Sequence, residues 1–192
     1  MGTTQPIREE DQVKEFTNYY KNICPSARNQ ALIIFSLNTA LRISDLLSLK
    51  WEDIYDFETE QIVRHLYITE HKTKKQSIIV LNTRIQEALE AYMQERRPVR
   101  QEYVFSKNTT HQEPLNRTQA YRIIRKAADE TLHLPNISCH SMRKTFGYHA
   151  WKHGTPPALL MEIYNHSSYA YTKRYLGIDQ DERDAVFLEV ML

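Results

Sequence analysis

Glycine and cysteine are both scarce in this chain of 192 residues, at four and two. With only seven prolines besides, the composition is neither fibrous nor low-complexity. Cys24 and Cys139 are too few for a disulfide framework and fit a reducing cytoplasm. No apolar run nears the roughly 18 residues of a membrane span, so no membrane partner is expected. The opening MGTTQPIREEDQ lacks the apolar core of a signal peptide, and Pro6 stands where a myristoylation motif wants Ser or Thr. Net charge is slight as well, +1 at pH 7. What the chain does have is 41% hydrophobic residues, enough to fill the core of one domain of ordinary size.

The small net charge conceals an uneven distribution. Between residues 61 and 177 there are 18 Lys and Arg against 9 Asp and Glu, while the remainder holds 7 basic and 15 acidic residues. Binding double-stranded DNA needs a local basic face, not a basic protein. Solvated helix faces give the same count, so charge alone does not decide the matter.

Residues 9–23 place Val13, Phe16, Tyr20 and Ile23 at helical spacing. Pro25 stops that helix, Ser26 caps the next, and ALIIFSL is apolar enough to be buried. In NTALRISDLLSLKWEDI, Ser44 is a candidate N-cap, with Arg42 just before it and Asp45 placed to hold the guanidinium. IVRHLYIT and SIIVL read as a β-hairpin over about 62–81, whose tip EHKTKKQ carries Lys72, Lys74 and Lys75. A helix follows over 83–97, then the apolar YVF and an exposed polar loop, SKNTTHQEPLN. A helix over 117–132 is expected to turn Tyr121, Ile124, Ala128 and Leu132 inward, and Arg117, Arg122, Arg125 and Lys126 toward a phosphate backbone. Gly154 ends a helix over 140–153, and Thr155-Pro-Pro starts the next with a cap and an N1 proline. Residues 165–168 make a tight turn before YAYTKRYL and DERDAVFLEVML. The fold class is mainly α with a small antiparallel sheet (α+β), without repeats or a dividing linker.

The chemistry gathers in residues 138–175. His140 and Arg143 lie one turn apart on a helix face, and His166 and Tyr175 close the stretch. A guanidinium fork matches phosphate oxygens, imidazole moves protons near neutrality, and a phenol can attack; together they suit a phosphodiester. No Cys or carboxylate stands at metal-ligand spacing from His140, His149, His153 and His166, so no metal centre is expected. By count alone Tyr164, Tyr169, Tyr171 and Tyr175 are all eligible as the nucleophile.

Taken in order, Arg42 in TALRISDLLSLKWEDI, Lys72 in EHKTKKQ, His140 and Arg143 in HSMRKTF, His166 in NHSS and Tyr175 in TKRYL resemble the catalytic domain of tyrosine recombinases, the phage-integrase family. The resemblance covers residues 28–177 and implies that family's catalytic-domain fold. It implies integration, excision or inversion of DNA through a 3′-phosphotyrosyl intermediate, with no cofactor, ATP or metal. Arg42 and Arg143 would clamp the scissile phosphate. Tyr175, after Thr172 and before Leu176-Gly177, would attack phosphorus; Lys72, or Lys74 in its stead, would protonate the leaving 5′ oxygen. His140 would assist proton transfer at the tyrosine and His166 would bind a nonbridging oxygen. Lys74, Lys75 and Lys144 would join the basic helix face in touching DNA, and the other three tyrosines would pack. Asn165 replaces the family's usual glycine, and Asn tolerates left-handed backbone. A type IB topoisomerase shares these residue types and a binding-only protein shares the fold; both stand as alternatives.

Residues 1–177 are expected to be the catalytic domain, without a separate N-terminal core-binding domain. That describes either a fragment or a small single-domain member similar to the fimbrial phase-variation recombinases. Over 178–192 an acidic stretch leads to a helix with Val186, Phe187, Val190 and Met191 on one stripe. Such a stripe is buried in its own domain or docks in trans on a neighbour. The resemblance implies a homo-tetramer assembled on DNA from monomers or weak oligomers, cytoplasmic and of bacterial or phage origin.

Overall fold

The structure, a computed structural model, describes residues 4–110 and 112–190; Met191 of the terminal stripe and the Met-Gly start lie outside them. Helix α1 (Glu10–Asn18) runs into a π-helical turn, Tyr19–Ile23, closed by the Cys24 amide on the Tyr19 carbonyl at 3.0 Å. The wider turn shifts the register. Tyr19 and Tyr20 are therefore both buried, and Ile23, expected on the inner stripe, is 65% exposed.

Ser26 caps α2 (Ala27–Asn38) by accepting from the Asn29 amide. Ala31 to Leu37 are buried without interruption because the helix separates two core regions. Phe35 and Leu32 face a cluster with Trp51, Leu66, Leu89 and Phe105, while Ile33 and Leu37 face Phe16, Ile124 and Met142. Each such side chain contributes about 1.5–3 kcal/mol on burial.

The chain then turns through Ala40, at φ 54°, into α3 (Ile43–Leu47). The N-cap is Arg42, not Ser44: its backbone is extended and its carbonyl accepts from the Asp45 and Leu46 amides at 2.9 and 3.0 Å. Helix α4 (Trp51–Ile54) leads to β1 (Tyr55–Asp56), which pairs with β2 (Gln61–Ile62). IVRHLYIT is thus not one strand, because the Val63 amide donates back to Ile54 and the chain bends before β3 (His65–Thr69). Strands β3 and β4 (Gln76–Val80) form the expected antiparallel hairpin, with Tyr67 opposite Ile78.

Helix α5 (Thr83–Glu95), capped by Asn82, packs on α2. Helix α6 (Arg117–Thr131) starts with a capping box between Asn116 and Gln119 and buries Ala120, Ile124, Ala127 and Ala128. Tyr121, expected inward, is 44% exposed because Ala120 takes the core position beside it.

Helix α7 (Cys139–Lys152), capped by Ser138, precedes α8 (Pro157–Tyr164), α9 (Tyr169–Leu176) and α10 (Asp179–Glu189). Helix α8 starts one residue later than expected, with Pro156 as N-cap and Pro157 at N1, so a proline does stand at N1 but Thr155 has no capping role. A third cluster of Ala40, Tyr148, Leu160, Tyr164, Leu176 and Ile178 holds α7, α8 and α9 together. Gly147 makes their approach possible: a Cβ there would collide with the Tyr164 hydroxyl and Leu176. Among the described residues, no helix is long and apolar enough to cross a membrane.

Candidate active site

The loop before α3, the β3–β4 turn, the start of α6, the N-terminal half of α7 and the α8–α9 region border one cleft of about 940 Å³. Arg42, Lys72, His140, Arg143, His166 and Tyr175 all line it, with Arg117, Tyr121, Tyr164 and Tyr171. Six residues spread over 134 positions of sequence therefore meet on one surface.

Arg143 is the most enclosed of them, 5% exposed. Its Nη1 donates to the carbonyl of left-handed Ala40, its Nη2 reaches the Tyr164 carbonyl at 3.5 Å, and its guanidinium lies 4.6 Å from the Tyr164 ring centroid. Tyr164 is itself fixed, donating its hydroxyl to the Arg143 carbonyl at 2.6 Å. An arginine so restrained loses little rotamer freedom when it takes a ligand.

Arg42 is held differently from the expectation. Its Nη1 donates to Oε2 of Glu70, which is 3% exposed at the end of β3. Asp45, the expected partner, is wholly buried and accepts from the His71 amide at 2.9 Å, because α3 begins two residues earlier than read and turns Asp45 beneath the hairpin. Thr73 and Ser77 also donate to the Glu70 carboxylate, at 3.1 and 3.4 Å.

The hairpin turn is tightened by the Lys74 amide on the Glu70 carbonyl, and Lys74 takes the left-handed φ of 56°. Lys72 is the hairpin lysine that lines the cleft. Lys75 instead donates Nζ to the Glu162 carbonyl of α8 at 2.8 Å.

His166 follows the left-handed Asn165 (φ 55°, ψ 49°), the geometry that makes Asn an acceptable replacement for glycine. Its Nδ1 is 3.1 Å from Thr172 Oγ1, and its ring meets Tyr175 and Tyr171 edge-on at 5.1 and 4.6 Å between centroids. Burial, with Arg143 and Arg42 adding repulsion, lowers its pKa to about 4, so the free ring is neutral at pH 7. His140 is lowered too, first by burial and then by Lys144 and the arginines. Burial raises the Tyr175 phenol, while Arg143 and Arg42 pull it back down.

Tyr171 does not pack inside, as expected; it is 53% exposed and lines the cleft, since α9 presents both it and Tyr175 to His166. Tyr164 is buried, and Tyr169 donates to Glu182. Lys144 Nζ donates to the Thr4 carbonyl at 2.7 Å and sits 5.2 Å from the Tyr175 ring centroid. Arg117 joins the cleft, whereas Arg122, Arg125 and Lys126 line a neighbouring recess of about 300 Å³. There Arg125 pairs with Asp129, and Lys126 lies 3.5 Å from Cys24 Sγ.

Sequence reading missed Glu70, whose signal was a single acidic residue between a strand and a basic turn. It also missed Arg8, which donates to Asp181 and to the Gly177 carbonyl. Nothing in the local pattern marks a pair so far apart in sequence.

The fold is that of recombinase catalytic domains. A crystal structure of XerA recombinase superposes with a TM-score of 0.75 at 20% identity, over 99% of this chain and 67% of that one. XerH bound to a palindromic difH substrate, in a post-cleavage complex, gives 0.74 at 20% identity, over 95% and 52%. The sequence adds the lineage: residues 8–182 match the phage integrase family, and the chain belongs to that family. It is 38% identical over 187 residues to a probable integrase/recombinase, YoeC, of Bacillus subtilis, covering 97% of both chains. Identity to tyrosine recombinase XerD of Corynebacterium glutamicum is 28%, over 80% of this chain and 49% of that one. The type 1 fimbriae regulatory protein FimE of Escherichia coli is 29% identical, over 78% and 74%. The chain thus spans about half the length of the XerD relative and nearly all of YoeC.

Proposed function

We propose that this protein is a site-specific DNA recombinase that cuts and rejoins strands through a phosphotyrosine at Tyr175. The observation that carries the reading is the convergence of Arg42, Arg143, Lys72, two histidines and a tyrosine on one cleft. Two guanidiniums at fixed positions supply the charge that stabilises a pentacoordinate phosphorane. Tyr175 Oη forms the bond to phosphorus, and the bond from phosphorus to the 5′ oxygen breaks. The phenolic proton passes to a neutral imidazole, for which His140 at the cleft mouth is the group at hand. The departing 5′ oxygen takes a proton from Lys72. Religation reverses each step with a new 5′ hydroxyl, so the phosphodiester energy is conserved and neither ATP nor a metal ion enters the balance.

Burial, more than the arginine charges, keeps His166 neutral, and a neutral imidazole still has one ring N–H to donate to a nonbridging oxygen of a phosphate held between Arg42 and Arg143.

Assembly on DNA as a homo-tetramer belongs to the same proposal. Helix α10 buries none of its described residues, and Val186, Phe187, Leu188 and Val190 are 58%, 82%, 75% and 58% exposed. A face of that kind fits docking in trans on the next protomer, with the chain after Ile178, itself buried in its own domain, as the coupling tail. The test is a nicked suicide substrate carrying the recombination site: a detergent-resistant adduct should form, and its peptide map should place the nucleotide on Tyr175. A nucleotide mapped to any other residue overturns the assignment.

A further inference from the structure

Residues 4–9 lie across α7 and reach the helix carrying Tyr175 in two ways, directly through Arg8 and indirectly through Lys144 of α7. Ile7 is fully buried, with its amide donating to Thr145 Oγ1 at 2.9 Å and its carbonyl 3.0 Å from His149 Nε2. Those contacts fix the segment in place along α7. From there Arg8 reaches the other end of the site. Its Nη1 donates to both carboxylate oxygens of Asp181, at 2.7 and 2.9 Å, and its Nη2 donates to the Gly177 carbonyl at 2.7 Å.

Gly177 is the left-handed C-cap of α9, at φ 75°, and Asp181 stands in the first turn of α10. One guanidinium therefore joins the end of the helix carrying Tyr175 to the start of the next. Its charge also complements the negative end of α9. The indirect route is through Lys144, whose Nζ is held by the Thr4 carbonyl while lying over the Tyr175 ring.

We propose that residues 4–9 are a strap that sets the position of Tyr175, with Arg8 as its positioning residue; the catalytic consequence rests on Tyr175 being the nucleophile. The strap acts on geometry more than on global stability. The Arg8 and Asp181 side chains are 40% and 26% exposed, and ion pairs so placed contribute little to folding. A nucleophile moved by about 1 Å, in contrast, loses up to ~10²-fold in rate.

The experiment compares Arg8→Ala, Arg8→Lys and Asp181→Asn in the full chain. Amide hydrogen exchange of the free protein should quicken over residues 169–178 in Arg8→Ala and leave α2 unchanged. At saturating DNA, single-turnover adduct formation should fall by ~10-fold with half-site affinity and thermal midpoint retained. Arg8→Lys, which keeps the cation, should recover most of both readouts, and Asp181→Asn should fall between. Unchanged exchange in α9 of Arg8→Ala overturns the strap, as does a rate loss no larger than the loss of folded protein. Should Arg8→Ala fold poorly, Asp181→Asn tests the strap from the other side of the pair, by the same two readouts. The exchange readout needs no DNA, so it separates failure of the strap from failure of the nucleophile assignment, which Tyr175→Phe decides alone.

Discussion

Arg42 and Glu70 form an ion pair that joins the N-cap of α3 to the hairpin bearing Lys72. Through it, the proposed phosphate clamp and the proposed leaving-group acid share one support. Glu70→Gln keeps the shape and removes the charge. We expect cleavage at saturating DNA to fall by ~10²-fold, the size of a small misplacement. A 5′-bridging sulfur should restore little of it, because the defect includes Arg42. Full recovery on that substrate would confine the role of Glu70 to Lys72.

Lys72→Ala is the contrasting case. Positioned proton donation is worth about 10²–10⁴-fold, so cleavage of ordinary DNA should slow by that range. The bridging-sulfur substrate, whose thiolate leaves without a proton, should be cut near the wild-type rate. If it is not, Lys72 binds DNA and does not act as the acid.

Two tyrosines line the cleft beside His166, and they are separable. Tyr175→Phe should bind DNA and give no adduct; Tyr171→Phe should still give one. The reverse result would move the nucleophile by one helical turn.

Gly147→Ala places a methyl group against Tyr164 and Leu176. Overpacking of this kind costs about 1–3 kcal/mol, which urea unfolding would measure. Because Leu176 adjoins Tyr175, the proposed nucleophile, adduct formation should fall by more than the loss of stability explains.

The pKa of His166 gives a signed prediction. It is 6.5 in the unfolded chain and about 4 in the folded one. Between these values the unfolded state holds more protons, so stability falls as pH drops from 6.5 toward 4. His166→Gln removes that contribution. The thermal midpoint of the variant should therefore rise relative to wild type across this window, and a constant difference would contradict the burial that depresses the ring.

Much of this site was legible in the chain because its parts are local. Ser26 caps α2 as read, and Arg143 sits one turn beyond His140; such features are fixed by spacings of a few residues. The main helices and the hairpin followed from period and turn composition. What escaped reading depends on distance. Asp45 and Glu70 are both acidic and both near Arg42, and only the docking of the hairpin decides which pairs with it. Tyr121 and Tyr171 have the periodicity of core residues, yet they face a cleft that exists only once α6 and α9 are brought together. Arg8 and Asp181 stand 173 positions apart, beyond any local rule.

The hairpin is moored on both banks of the cleft, by Glu70 to Arg42 and by Lys75 to the Glu162 carbonyl. The second mooring takes a backbone oxygen, which any sequence at position 162 provides; the first demands a specific pair of side chains. Residues 70–75 are therefore only partly portable. Grafted into a relative lacking a carboxylate-seeking arginine before its third helix, they would deliver the lysine on a turn tied at one end. Domain-shuffling experiments should then move Glu70 and Arg42 as a couple.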